Sequence, residues 1–199
     1  QRNRQLRNRR PLRAKQLLGN TTVLGGEMAV SIDLLSSEQA AALRPQLVTL
    51  LQANVDDGAS IGFLPPLSAA EAGAYWLGVE EALRGPYRIL LVARQSEQVV
   101  GSVQLDLVAK PNGAHRAEVM KLMVHPDQRR QGIARTLMLA LEEQAHAASR
   151  TTLVLDTREG DPSERLYRSL GYTCIGVIPK YCISANGSVD GSAFYYKLI

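Results

Sequence analysis

Between Arg116 and Leu155 the chain reads as a strand, a proline, an arginine-rich loop, an amphipathic helix and a second, wholly apolar strand. Few architectures accommodate that order. Residues 116–124 are strand-like, and Pro126 breaks the run. Residues 131–148 have a helical period, with Ile133, Leu137, Leu141, Ala145 and Ala148 as one stripe. Thr151-Thr152-Leu153-Val154-Leu155 has no polar alternation at all, the pattern of a strand covered on both faces in the parallel part of a sheet.

The flanking sequence builds on this unit. Residues 29–35 form a short first strand, and Ser36 or Ser37 caps a helix whose stripe is Leu43, Leu47, Leu50 and Leu51. Pro45 is expected to kink or divide that helix. Residues 56–66 have loop chemistry yet hold Ile61, Phe63 and Leu64, which suits a lid or pocket wall better than a solvated linker. A second helix starts at Ser68 and carries Ala72, Tyr75, Trp76, Val79 and Leu83 on one side, with Trp76 read as core. Strands follow at 87–94 and 99–108, before the one at 116–124. Asp161-Pro162-Ser163-Glu164 caps a short helix with Leu166 and Leu170 that ends at Gly171, and strands at 172–178 and 193–198 close the chain. The order β-α-α-β-β-β-α-β-α-β-β indicates one α/β domain with a mixed sheet.

A length of 199 residues suits a single packed domain. No run of about 18 uncharged apolar residues occurs, so no membrane-spanning helix is expected. Two cysteines, Cys174 and Cys182, make no disulfide framework, and no Cys/His spacing suggests a metal. The net charge of +4 raises the question of nucleic acid. Residues 1–27 hold seven of the 23 basic groups and only one acid, Glu27. The remainder, 28–199, therefore carries 16 basic and 18 acidic groups. The excess belongs to the first segment, which we expect to be a disordered extension ahead of a domain spanning 28–199. An upstream addition before a natural start at Met28, an organelle-targeting segment and a nucleic-acid-binding arm all fit its composition. No aromatic residue interleaves its arginines, which counts against nucleic acid as a partner.

The chemistry concentrates in Leu122-Met123-Val124-His125-Pro126-Asp127-Gln128-Arg129-Arg130-Gln131-Gly132-Ile133-Ala134-Arg135. Gly132 permits a close turn into a helix start, so successive N–H groups and the positive dipole end face outward beside Arg129, Arg130 and Arg135. That is an anion site. The spacing fits neither the P-loop nor the three-glycine dinucleotide fingerprint. The competing reading is a helix that merely begins with solvated arginines.

Arg129-Arg130-Gln131-Gly132-Ile133-Ala134, preceded by Leu122-Met123-Val124-His125-Pro126, resembles the acetyl-CoA-binding motif of the GNAT superfamily of N-acetyltransferases. The element order over 29–199 fits that fold as well. Four more segments, Lys110-Pro111-Asn112-Gly113, Arg116-Ala117-Glu118-Val119, Leu155-Asp156-Thr157 and Pro179-Lys180-Tyr181-Cys182, resemble the tabtoxin resistance branch, which acetylates a small amino-acid-like toxin. The resemblance implies a mixed, mostly antiparallel sheet with a splayed parallel central pair and flanking helices. It implies that backbone N–H groups from Arg129 to Arg135 hold the pyrophosphate of acetyl-CoA, and that Leu122, Met123 and Val124 pair with the pantetheine arm. Tyr167 matches the tyrosine that commonly faces the CoA sulfur, where a phenol can protonate the leaving thiolate; a helix tyrosine packed beside Leu170 is the other reading. Lys180 stands where relatives often carry glycine, and Ala134 replaces a second glycine of the common motif.

Acetylation of an amine needs a base, because a free amino group is mostly protonated at pH 7. Glu118 and Asp156, at adjacent strand ends, match carboxylates of the tabtoxin resistance branch and are the candidates, with His115 a further option. Each carboxylate could equally be an ordinary solvent-facing or backbone-bonded group. Cys174 and Cys182 have no partnered histidine, which favours direct transfer over an acetyl-cysteine. The expectation is a cytoplasmic enzyme acting on a small-molecule amine acceptor, with no membrane partner and a homodimer left open. A non-catalytic acyl-CoA sensor and a protein or peptide N-acetyltransferase are the alternatives.

Overall fold

The computed structural model describes residues 30–199. The basic segment, with every reading of it, lies outside the described residues. The chain forms β1 (Val30–Leu34), α1 (Ser37–Asp56), α2 (Ala69–Leu83), β2 (Arg88–Gln95), β3 (Gln98–Leu107), β4 (Arg116–Val124), α3 (Ile133–Ala147), β5 (Thr152–Arg158), α4 (Ser163–Ser169), β6 (Thr173–Ile183) and β7 (Val189–Leu198). One seven-stranded sheet runs in the order β1-β2-β3-β4-β5-β7-β6. Every neighbouring pair is antiparallel except β4 and β5. This is the mixed sheet the sequence indicated. No helix among the described residues is long and apolar enough to cross a membrane.

Each face of the sheet buries its own core. On one, Ile133, Leu137, Leu141 and Ala145 of α3 pack on Val103, Leu105, Ala117 and Leu153. On the other, α1 and α2 pack Leu47, Leu51 and Trp76 against Leu90, Val92 and Met123. Trp76 is fully buried as expected and donates from Nε1 to the Leu47 carbonyl at 2.9 Å. Both of these helices start on serine capping boxes, Ser36 with Gln39 and Ser68 with Glu71.

Pro45 does not divide α1, which runs unbroken for 20 residues with the proline inside it. The missing N–H and the ring clash cost about 3 kcal/mol. Downstream, Leu47, Leu50, Leu51 and Val55 are each at most 1% exposed. Burial of side chains of this kind stabilises by roughly 1.5–3 kcal/mol apiece, so packing outweighs the local penalty. Pro45 itself is exposed. Pro45→Ala is therefore expected to stabilise the fold by about 2 kcal/mol, the helix gain less the restriction that proline imposes on the unfolded chain. A thermal melt should move up by roughly 4–8 °C. A midpoint that stays put or falls would mean that α1 is shaped around the proline.

β6 runs five residues past the expected end at Ile178, through Pro179. It is an edge strand, where a proline lacking its N–H is tolerated. Pairing with β7 slips between Ile178 and Cys182, and Lys180 sits there at φ 54°. That left-handed conformation is one glycine adopts freely and a lysine rarely.

Candidate active site

β4 and β5 are hydrogen-bonded neighbours only through Arg116↔Thr152, Ala117↔Leu153 and Glu118↔Val154. Beyond Glu118, β4 stays with β3, while β5 stays with β7 to Arg158. The two parallel strands thus part, and a cleft of about 940 Å³ opens where they do. Ala117, Val119, Leu153 and Leu155 point into the core beneath α3. By strand alternation, Glu118 and Asp156 point to the opposite face, and both line the cleft.

The parting coincides with a fault in β4. Met120 pairs with Gln104 and Met123 with Ser102, which leaves Lys121 and Leu122 opposite Val103. Lys121 takes φ 52° to accommodate the extra residue. The bulge inverts the alternation: Val119 and Leu122, three apart, both pack on the α3 side, whereas Met123 enters the other core.

β4 ends at Val124 and a 3₁₀ turn (Pro126–Gln128) leads to α3. Arg130 at φ 65° and Gly132 at φ 82° then turn the chain into α3 beside the cleft. Among the described residues no backbone acceptor takes the N–H of any residue from Arg130 to Arg135. The first helical bond is Thr136 N–H to the Gly132 carbonyl, at 3.0 Å. Six free donors at the positive end of a 15-residue helix are a cradle for a doubly charged, oxygen-rich group such as a pyrophosphate. The side chains there are less alike than the sequence suggests. Arg129 is held by the Asp57 carboxylate, by Asn54 Oδ1 at 3.2 Å and by the Val124 carbonyl at 3.3 Å, so it braces the loop against the end of α1. Arg135 donates to Ser169 Oγ at 2.7 Å. Leu122, Val124, Arg129, Arg130, Gly132, Ile133, Ala134 and Arg135 all line the cleft. The side chains of Met123 and Gln131 do not: Met123 is 2% exposed within the second core, and Gln131 donates to Gln128 at 3.0 Å.

Tyr167 reaches the cleft from α4. Asp161 accepts from the Ser163 N–H at 3.0 Å and so sets the start of that helix; Arg158 in turn contacts Asp161 at 3.4 Å and donates to the Gly58 carbonyl at 3.2 Å. The Tyr167 ring is wedged between Tyr172 and Tyr195, with centroids at 5.9 and 6.0 Å. Its hydroxyl has no hydrogen-bond partner among the described residues. Burial, then the charges of Asp161 and Asp156, push the phenol well above its ordinary pKa, so it keeps its proton. Glu118 is also raised, first by burial, then by Asp156 and Asp106. Asp156 accepts from Ser192 Oγ at 2.7 Å. His115 lies at the opposite end of β4, where its carbonyl receives the Thr151 N–H, and it does not line the cleft.

Gly58, Ala59, Ser60, Ile61 and Gly62 form the wall expected of the apolar loop, with Tyr181 and Cys182 of β6 facing the same space. Sequence reasoning missed Asn54, Asp57 and Lys121. The first two act through Arg129 from more than 70 residues away. Lys121 was hidden by the bulge, whose one sequence signal is the break in alternation between Val119 and Leu122.

A family model described as "Acetyltransferase (GNAT) family" matches residues 56–172, more than half of the chain. An uncharacterized N-acetyltransferase from the hisH-hisA intergenic region of Azospirillum brasilense is 38% identical over 107 residues, which cover 53% of this chain and 62% of that relative. The chain thus spans under two thirds of that curated relative. Among solved structures, an N-acetyltransferase from Staphylococcus aureus Mu50 superposes with a TM-score of 0.71 at 16% identity, over 85% of this chain and 98% of that one. The protein yncA of Salmonella typhimurium, solved with its cofactor acetyl-CoA, gives 0.67 at 19% identity over 85% and 93%. The fold is theirs, with the parallel β4–β5 pair inside an otherwise antiparallel sheet. On the match that runs from the end of α1 through the cleft to Tyr172, the chain belongs to the GNAT family of acetyltransferases.

Proposed function

We propose that this protein transfers the acetyl group of acetyl-CoA to the amino group of a small, amino-acid-like acceptor by direct attack. The observation that carries the reading is the parting of β4 from β5 between a helix N-terminus with six free amides and a set of proton-handling groups, Tyr167, Glu118 and Asp156. The free N–H groups from Arg130 to Arg135 suit the pyrophosphate, and the exposed edges of the parted strands near Leu122 and Val124 suit the pantetheine arm. Acetyl-CoA, when bound, supplies an activated thioester. Glu118 or Asp156 takes a proton from the acceptor amine, and Tyr167 offers its own to the sulfur as it leaves. The four segments that resemble the tabtoxin resistance branch support a small acceptor. The two free thiols and the cofactor suit a cytoplasmic setting.

The test is thioester loss from acetyl-CoA against a panel of amines, amino acids, dipeptides and short peptides. Turnover with small amines is the expected outcome. Tight CoA binding without thioester loss for any acceptor would replace this reading with a sensor module, and turnover confined to peptides would move the acceptor class to proteins.

A further inference from the structure

Lys121 lines the cleft with no carboxylate in ion-pair contact among the described residues. It sits on the bulge of β4, on the side of the cleft walled by the α1–α2 loop. Its Nζ lies 5.9 Å from the centroid of the Phe63 ring, and a Cβ on Gly62 would come within 3.2 Å of it. No carboxylate among the described residues lies within 4 Å of Nζ, and no hydrogen bond to it is formed there. Of the other basic groups that line the cleft, Arg129 pairs with Asp57 and Arg158 with Asp161, while Arg130 and Arg135 stand at the start of α3. Burial pulls the lysine below its ordinary pKa, while the charges of Asp156 and Glu118 oppose that fall. An ammonium under this desolvation gains from an anion brought to it.

We propose that Lys121 anchors a carboxylate of the acceptor, so that the protein acts on amines that carry an acid group near the amine. The inference rests on the acetyl-transfer reading above and narrows its acceptor class. Its logic is a division of signs across one small space. Glu118 and Asp156 attract the acceptor's amine from β4 and β5, and Lys121 attracts its acid from the bulge of β4. A zwitterion satisfies both. A polyamine would satisfy the carboxylates but bring a positive charge against Lys121, and a simple alkylamine would leave the ammonium unmatched. The bulge is what sets the geometry, because residue 121 in regular alternation would point into the core beneath α3.

The experiment compares matched acceptors, each an amine with a free carboxylate beside the same amine as its carboxamide: α-, β- and γ-amino acids and dipeptides, with acetyl-CoA. The wild type should prefer the carboxylate member by roughly ten- to hundredfold in kcat/KM, mostly through KM, as a charge-assisted hydrogen bond provides. In K121Q that preference should collapse toward one, and K121R should restore much of it. A K121Q that weakens both members equally and keeps the ratio would assign Lys121 a purely structural role and overturn the inference. A wild type that acetylates amines with no carboxylate preference would also overturn it while leaving acetyl transfer intact. Absence of thioester loss with every member would sink the acetyl-transfer reading, and this inference with it.

Discussion

Tyr167→Phe is expected to lower kcat by roughly 10²- to 10⁴-fold, the usual contribution of a positioned acid, while CoA still binds and the fold keeps its stability. The separation is clean because of how the side chain is held. The ring is fixed by Tyr172 and Tyr195 at about 6 Å on either side, contacts that phenylalanine retains. The hydroxyl has no partner among the described residues, so its loss orphans none of them. A tyrosine kept only for packing would therefore show nothing on truncation to phenylalanine. Burial and the nearby Asp161 and Asp156 hold the phenol above its ordinary pKa, well beyond a thiol near 8.5. Its contribution is accordingly a hydrogen bond donated to sulfur as negative charge builds there. Single-turnover measurements with saturating acetyl-CoA would read the chemical step directly. Unchanged turnover would remove Tyr167 from the reaction.

What the sequence disclosed and what it hid divide along the range of the interactions. Helix caps at Ser36 and Ser68 and the stripe of α3 are local signals that the structure bears out, whereas the apolar run at 151–155 belongs to a longer β5, Thr152–Arg158, that is buried on the α3 side only and lines the cleft on the other. The turn at Gly132 was legible for the same reason: a left-handed residue before a helix is a property of a few adjacent positions. Pro45 does not divide α1 because its local cost is outweighed by leucines that bury against α2 and the sheet, a tertiary effect. The three arginines near that turn looked equivalent in sequence. Arg129 is distinguished by Asp57 and Asn54, and nothing in its own neighbourhood announces them. Lys121 was concealed by a bulge that reverses which side chains face the cleft. The positive charge that mattered in the motif is in good part backbone, six amides at a helix end, rather than the guanidinium groups that first draw attention.

The two carboxylates separate by their response to pH. Glu118 is raised by burial first and by Asp156 second, so its ionised form, the one a base requires, is lost at a higher pH than for a free glutamate. If Glu118 takes the proton, kcat/KM of the wild type should break downward on the acidic side above the ordinary carboxylate value of about 4.3. The acceptor's amine gives its own break several units higher, at about 8 for an α-amino group. Glu118→Gln should then remove the lower break and reduce kcat/KM by roughly 10²-fold or more. Asp156→Asn keeps an oxygen able to accept from Ser192 but deletes the charge that opposes ionisation of Glu118. The sign follows: with that repulsion gone, Glu118 ionises more readily, and the lower break should move to lower pH with activity retained. The reverse assignment predicts the reverse pattern, in which Asp156→Asn abolishes the lower break and Glu118→Gln leaves it. A break unmoved by either substitution would take the proton away from both carboxylates. Because the two strands part just beyond Glu118 and Asp156 lies two residues past its partner Val154, the pair is coupled by the same splay that opens the cleft.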